Sequence, residues 1–162
     1  MGGNKKPMPW TQAMPLAREI ENQLELAGVN VEICGSLRRR IAVVNDIDLV
    51  VSEPTPRIAS LLMTRPRVIA SETKKGGSFL FLIDGVQVDM YHALPEQWGA
   101  MCLFLTGNAQ FNIRLRLIAK KHGFKLNEKG LWSGENQVAG KDERQMFDVL
   151  GLEWLEPVDR SW

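Results

Sequence analysis

Apolar positions along the chain change their spacing several times, and each change predicts an element. Leu16, Ile20, Leu24 and Ala27 recur at intervals of four, four and three within residues 11–28, the period of a helix face, and Gly28 supplies the stop. Pro15 belongs near the first turn of that helix, where a missing N–H costs little. Val31 and Ile33 alternate with polar neighbours as a short strand that runs into Gly35-Ser36. Asp46 to Val51 predicts the next strand, with Asp46, Asp48 and Val50 on one face and Ile47, Leu49 and Val51 on the other. A short helix over 58–63, a strand over 67–70 and a polar, basic loop, SETKKGG, at 71–77 follow.

The strongest local signal is Asp84-Gly85 between the apolar runs FLFLI and VQVDMY, which predicts a hairpin with a two-residue turn. On its return strand Gln87, Asp89 and Tyr91 share one face, opposite Val86, Val88 and Met90; the same alternation also fits an edge strand with Asp89 in solvent. Residues 100–105 are apolar, and Thr106-Gly107-Asn108 turns into a helix over 109–123. Phe111, Leu115, Ile118, Ala119 and His122 fall on one arc of it, while Asn112, Arg116 and Lys120 form a polar stripe at i, i+4 and i+8. The remainder, with FKL, GLW and an acidic helix over 142–150, builds a small α/β unit. The elements together predict an α+β fold.

With 162 residues, 44% hydrophobic and 24% charged, the composition is that of an ordinary globular chain, and no apolar run approaches the roughly 20 residues a bilayer span needs. The N-terminus, MGGNKKPMPW, lacks the apolar core of a signal peptide and has Lys6 where a myristoylation signal wants Ser or Thr, so an intracellular chain is expected. Cys34 and Cys102 lie far apart among apolar neighbours and read as reduced core thiols; His92 and His122 have no second ligand at zinc spacing. Net charge is only +1, but it is unevenly spread: between Met101 and Ser133 six basic residues face Glu128 alone, and from Lys141 to Trp162 six acidic residues outnumber three basic ones. One basic face set apart from an acidic one suits a polyanion.

The chemistry concentrates between Cys34 and Val51, CGSLRRRIAVVNDIDLVV. Gly35 permits close backbone approach, Ser36 offers a hydroxyl and an amide to an anion, and Arg38, Arg39 and Arg40 follow at once. Asp46 and Asp48, side by side on one strand face, repel unless a cation neutralises them. Taken alone, Asp-x-Asp is better read as a solvated strand edge. With Asp89 as a third carboxylate, the set fits two-metal phosphoryl transfer.

The ordered series GS-x-RR, D-I-D-L-V, V-D on a following hairpin and T-G-x-x-x-x-N resembles the family X DNA polymerases, the group of DNA polymerase beta. The likeness runs from PLAREIENQL through SETKKGG, LFLTGNAQFNIRLR and GFKLNEKGLW to LGLEWLEPVDR. It implies a nucleotidyltransferase palm over 1–99, with a mixed β-sheet and flanking helices, and a small α/β thumb over 100–162. It also implies a DNA-directed DNA polymerase that extends a primer 3′-OH in short gap-filling repair synthesis, acting as a monomer on primer-template or gapped DNA with dNTP and no membrane partner.

Residue by residue, the resemblance implies that Asp46, Asp48 and Asp89 are the catalytic carboxylates holding two Mg²⁺ ions, or Mn²⁺ in their place, with Asp89 accepting the primer hydroxyl's proton. Gly35, Ser36 and Arg39 would take the β and γ phosphates; Phe104, Thr106 and Gly107 would line the sugar pocket; Asn112 and Arg116 would reach the minor-groove edge of the new pair. Thr73, Lys74 and Lys75 match backbone contacts to DNA, and Lys120 extends the thumb's basic stripe. The bond from Gly107 to Asn108 is expected to be cis. Two departures stand out: Phe104-Leu105 replaces the family's Tyr-Phe, and Tyr91 replaces an arginine two residues after the third aspartate. Only 34 residues precede Gly35, too few for a lyase domain or a helix-hairpin-helix clamp. The alternatives are a template-independent nucleotidyltransferase acting on a nucleic-acid or other hydroxyl acceptor, and a catalytically silent nucleic-acid-binding module.

Overall fold

A computed structural model describes residues 5–74 and 78–160, with the backbone alone at 70–74. The fold is α+β and comprises two compact units, Met1–His92 and Ala93–Trp162.

In the first unit a two-residue strand, β1 (Met8–Pro9), leads into the helix α1 (Trp10–Leu26). Ala13, Ala17, Ile20 and Leu24 bury one face of α1, and Leu16 packs at its margin. Pro15 falls in the second turn rather than the first because the helix begins at Trp10. Next come β2 (Val31–Ile33), the single turn α2 (Gly35–Arg38), β3 (Val43–Val44) and β4 (Ile47–Val51). The helix α3 (Thr55–Leu62) precedes β5 (Val68–Lys74), β6 (Ser78–Ile83) and β7 (Val86–His92). Five strands form one mixed sheet in the order β2-β4-β7-β6-β5, in which β4 and β7 are parallel and the other neighbours antiparallel.

The Asp84-Gly85 hairpin forms as the sequence predicts. Both turn residues have positive φ, 52° and 78°, the handedness that matches the twist of paired strands. The polar stretch Ser71 to Lys74, expected as loop, instead continues β5. That strand is at the sheet edge and pairs with β6 alone, a place where polar residues are tolerated. Ile47, Leu49, Phe79, Phe81, Val88 and Met90 join α1 and α3 in one core, where full burial of such side chains contributes about 1.5–3 kcal/mol each.

The second unit opens with α4 (Trp98–Thr106), followed by α5 (Ala109–Lys121), an antiparallel sheet of β8 (Lys125–Asn127), β9 (Gly130–Ser133) and β10 (Asn136–Ala139), and α6 (Glu143–Val149). The apolar run over 100–105 is therefore helical, with Thr106 as its last residue. Phe111, Leu115 and Ala119 of α5 are buried as the helical period predicts. His122, assigned to that arc, is exposed instead, because the helix ends before it. Phe111 and Phe147 centre the core with Leu103, Leu131, Met146 and Leu150.

Candidate active site

The parallel register of β4 and β7 sets Asp48 directly opposite Asp89. Asp46 lies just before β4, which begins at Ile47 rather than at Asp46. The three carboxylates each present an oxygen within 4.8 Å of the others. Asp89 is 3% exposed, because β7 is an interior strand and not an edge. This is the only such cluster of potential metal ligands among the described residues. Three hard oxygen donors at this spacing, partly withdrawn from water, suit a divalent cation such as magnesium. Gathering them without one is opposed by like-charge repulsion.

Two side chains that the motifs did not single out act on the triad. Gln87, one step before Asp89 on the same face of β7, donates its amide Nε2 to Asp89 Oδ2 at 2.8 Å, both groups being buried. The alternation of β7 places Gln87 there, but nothing in it signals the hydrogen bond. Lys5 sets its ammonium 2.5 Å from Asp46 Oδ2. The hydrogen bond to Asp46 raises the Lys5 pKa, partial burial opposes it, and the charges of all three aspartates add to the rise. On the far side of Asp89, Tyr91 carries a phenol pushed above its ordinary range, by burial first and then by the charges of Asp48, Asp89 and Asp46.

The Gly-Ser segment is built around Asp48. Cys34 N donates to the Asp48 carbonyl at 2.8 Å, and Gly35 follows with φ 65°. A Cβ at Gly35 would overlap the Asp48 carboxylate, so the close approach requires glycine. Ser36 is half-buried in the α2 turn. The three arginines diverge from here. Arg38 faces Glu32, with Nε 3.7 Å from Oε1. Arg40 is exposed and takes a positive φ of 59°. Arg39 couples to Asp48: burial pulls its pKa down while that carboxylate opposes the fall.

In the second unit the bond from Gly107 to Asn108 is cis. Asn108 then caps α5, its Oδ1 accepting from Phe111 N at 3.0 Å. Thr106 is fully buried, whereas Phe104 is 41% exposed. A pocket here is lined by Leu103, Phe104, Asn112 and Arg116 together with Leu126, Asn127 and Glu128. Asn112 Nδ2 donates to the Phe104 carbonyl at 2.7 Å, which ties the polar stripe of α5 to the end of α4. Lys120 continues that stripe, exposed. Asn127 and Glu128, on and beside β8, join the pocket through tertiary packing that no local pattern announces. Thr73 and Lys74 pair along the backbone of β5 with Phe79 and Ser78, and Lys75 lies outside the described residues.

The sequence profile of the DNA polymerase beta thumb matches residues 101–161. Repair DNA polymerase X of African swine fever virus is 29% identical over 162 residues, an alignment covering 90% of each chain. The matches support a family X DNA polymerase. The likeness extends to larger relatives: DNA polymerase lambda of Arabidopsis thaliana is 28% identical over 96% of this chain and 36% of its own length. The fold is that of polymerase beta from Leishmania infantum, solved as a ternary P/T complex, with a TM-score of 0.83, 21% identity, and coverage of 99% of this chain and 78% of that one. No helix among the described residues is long and apolar enough to cross a membrane.

Proposed function

We propose that this chain is a DNA-directed DNA polymerase that adds deoxynucleotides to a primer 3′-OH in short gap-filling repair synthesis. The reading rests on one observation above all: Asp48 opposite Asp89 in parallel register, with Asp46 close enough for all three carboxylates to share cations.

In this reading Asp46, Asp48 and Asp89 would hold divalent cations. When bound, Mg²⁺ or Mn²⁺ makes the primer hydroxyl more acidic and screens the triphosphate. The protein's own groups do the rest. Asp89, oriented by Gln87, accepts the proton from the primer 3′-OH as its oxygen bonds to the α-phosphorus; the bond from that phosphorus to the bridging oxygen breaks and pyrophosphate leaves. Ser36 and Arg39 hold the β and γ phosphates, with Gly35 giving backbone access. Phe104, Thr106 and Gly107 border the sugar, and Phe104 offers no hydroxyl there. Asn112 and Arg116 reach the minor-groove edge of the nascent pair. Lys120, Thr73, Lys74 and Lys75 contact DNA phosphates, so affinity falls steeply with salt.

Primer extension with Mg²⁺ or Mn²⁺ on templated, gapped and single-stranded substrates tests this, beside Asp89→Ala. Templated incorporation that Asp89→Ala abolishes is expected. Incorporation that ignores the template base would instead indicate a template-independent transferase, and binding without incorporation a silent module. A Phe104→Tyr variant that leaves the ribonucleotide to deoxynucleotide ratio unchanged would remove Phe104 from the sugar pocket.

A further inference from the structure

Lys5 belongs to none of the motifs, yet its ammonium lies 2.5 Å from Asp46 Oδ2 of the triad. The backbone delivers it there. Met8 pairs with Val44 and Pro9 with Val43 in antiparallel register, and the same course carries the residues before Met8 past Asn45 and Asp46. This small ribbon is anchored by buried Met8 and Val44, by Trp10 N donating to the Ala42 carbonyl at 2.9 Å and by Trp10 Nε1 donating to the Leu37 carbonyl at 2.9 Å. The Lys5 side chain is 55% exposed.

We propose that Lys5 is a built-in counter-cation of the triad, which competes with divalent metal for Asp46 and thereby sets the metal affinity of the free polymerase. The inference rests on the metal reading of Asp46, Asp48 and Asp89. A carboxylate oxygen held by an ammonium at 2.5 Å is not available to a metal until the ammonium withdraws, and an ammonium that stays nearby repels the incoming cation. Because Lys5 is largely in water, it withdraws at small cost, so it weakens metal binding without blocking it. Cations that arrive with a triphosphate bring compensating negative charge and are less opposed. Lys5 thus favours loading of metal together with nucleotide over loading of metal alone.

The test is Mn²⁺ binding to the full chain, followed by the loss of the free-ion paramagnetic resonance signal, without DNA or nucleotide. Lys5→Met keeps the apolar stem and removes the charge, and is expected to tighten Mn²⁺ binding roughly threefold to tenfold. Lys5→Arg, which keeps the charge, is expected to bind as the parent does. Placed on Asp46→Asn, Lys5→Met is expected to have a clearly smaller effect, because the ammonium has lost the carboxylate that holds it at the site; an effect as large as in the parent overturns the competition for Asp46. Unchanged or weaker binding by Lys5→Met overturns the proposal. A parent chain with no Mn²⁺ site that Asp48→Asn removes is a different result, which overturns the metal reading and this inference with it.

Discussion

Gln87 and Asp89 stand two residues apart on one face of β7, and the Gln87 amide donates to Asp89 Oδ2 at 2.8 Å with both side chains buried. A neutral donor fixes the carboxylate's orientation without adding a positive charge that would compete with a metal. Gln87→Leu, close in volume, is expected to lower kcat about 10- to 100-fold, the usual cost of losing a group that orients a metal ligand, with a smaller effect on the KM for nucleotide. Steady-state single-nucleotide insertion separates the two. A change confined to KM would mean that Gln87 serves binding and does not orient the base.

Gly35 makes a second demand on the same site. Its φ of 65° is unfavourable to any side chain, and a Cβ would overlap the Asp48 carboxylate. Gly35→Ala is expected to lower stability by about 1–2 kcal/mol from the backbone alone, and to lower kcat/KM at least 100-fold by displacing the Asp48 carboxylate. Urea unfolding measures the first effect and insertion kinetics the second. Near-parental kinetics would show that Asp48 tolerates the shift.

What the sequence disclosed and what it hid follow from the range of the interactions. The Asp84-Gly85 turn is encoded in two adjacent residues, and the alternation on either side places Asp89 on a defined strand face. The triad could be assembled on paper because β4 and β7 each carry their own pattern. The helix Trp98–Thr106 was unreadable because almost every side chain in it is apolar, so it has no polar face to reveal a period. Ser71 to Lys74 read as loop because their strand depends on pairing with β6, a tertiary fact. Lys5 was invisible for the same reason: it reaches Asp46 only through the pairing of Met8–Pro9 with Val43–Val44, more than thirty residues away in the chain.

Arg160 anchors the end of the second unit. It is 1% exposed, with Nη2 3.4 Å from Glu143 Oε2 and Nε donating to the Leu155 carbonyl at 3.1 Å. Its guanidinium carbon lies 4.9 Å from the Trp154 ring centroid, 5.5 Å from that of Phe147 and 5.6 Å from that of Phe111. Phe111 is the first buried residue of α5, the helix that carries Asn112 and Arg116, so this cluster supports that helix from within. Arg160→Leu strands Glu143 in a largely apolar setting and is expected to cost about 3–5 kcal/mol. Urea unfolding reads the loss, and Glu143→Gln on the Arg160→Leu background is expected to restore part of it. A loss below about 1 kcal/mol, the range of exposed pairs, would mean the guanidinium adds little.

Tyr91 is the only tyrosine in the chain, so its ionisation can be followed without ambiguity. It faces Val50 across β4 and Ser78 across β6, beside Asp89. Burial, then the charges of Asp48, Asp89 and Asp46, raise its folded pKa above the ordinary 10.0. The sign of the pH effect follows. Above pH 10 the unfolded chain loses the phenolic proton while the folded chain keeps it, so the folded state binds more protons and stability falls as pH rises. The contribution is whole below pH 10 and is lost progressively toward the folded pKa. In metal-free buffer, tyrosinate absorbance is therefore expected to appear together with alkaline unfolding and not before it. Tyr91→Phe is expected to flatten the decline in stability above pH 10 while leaving neutral-pH stability little changed. Reversible ionisation near pH 10 in the folded chain would show that the phenol is open to solvent and does not feel the three carboxylates.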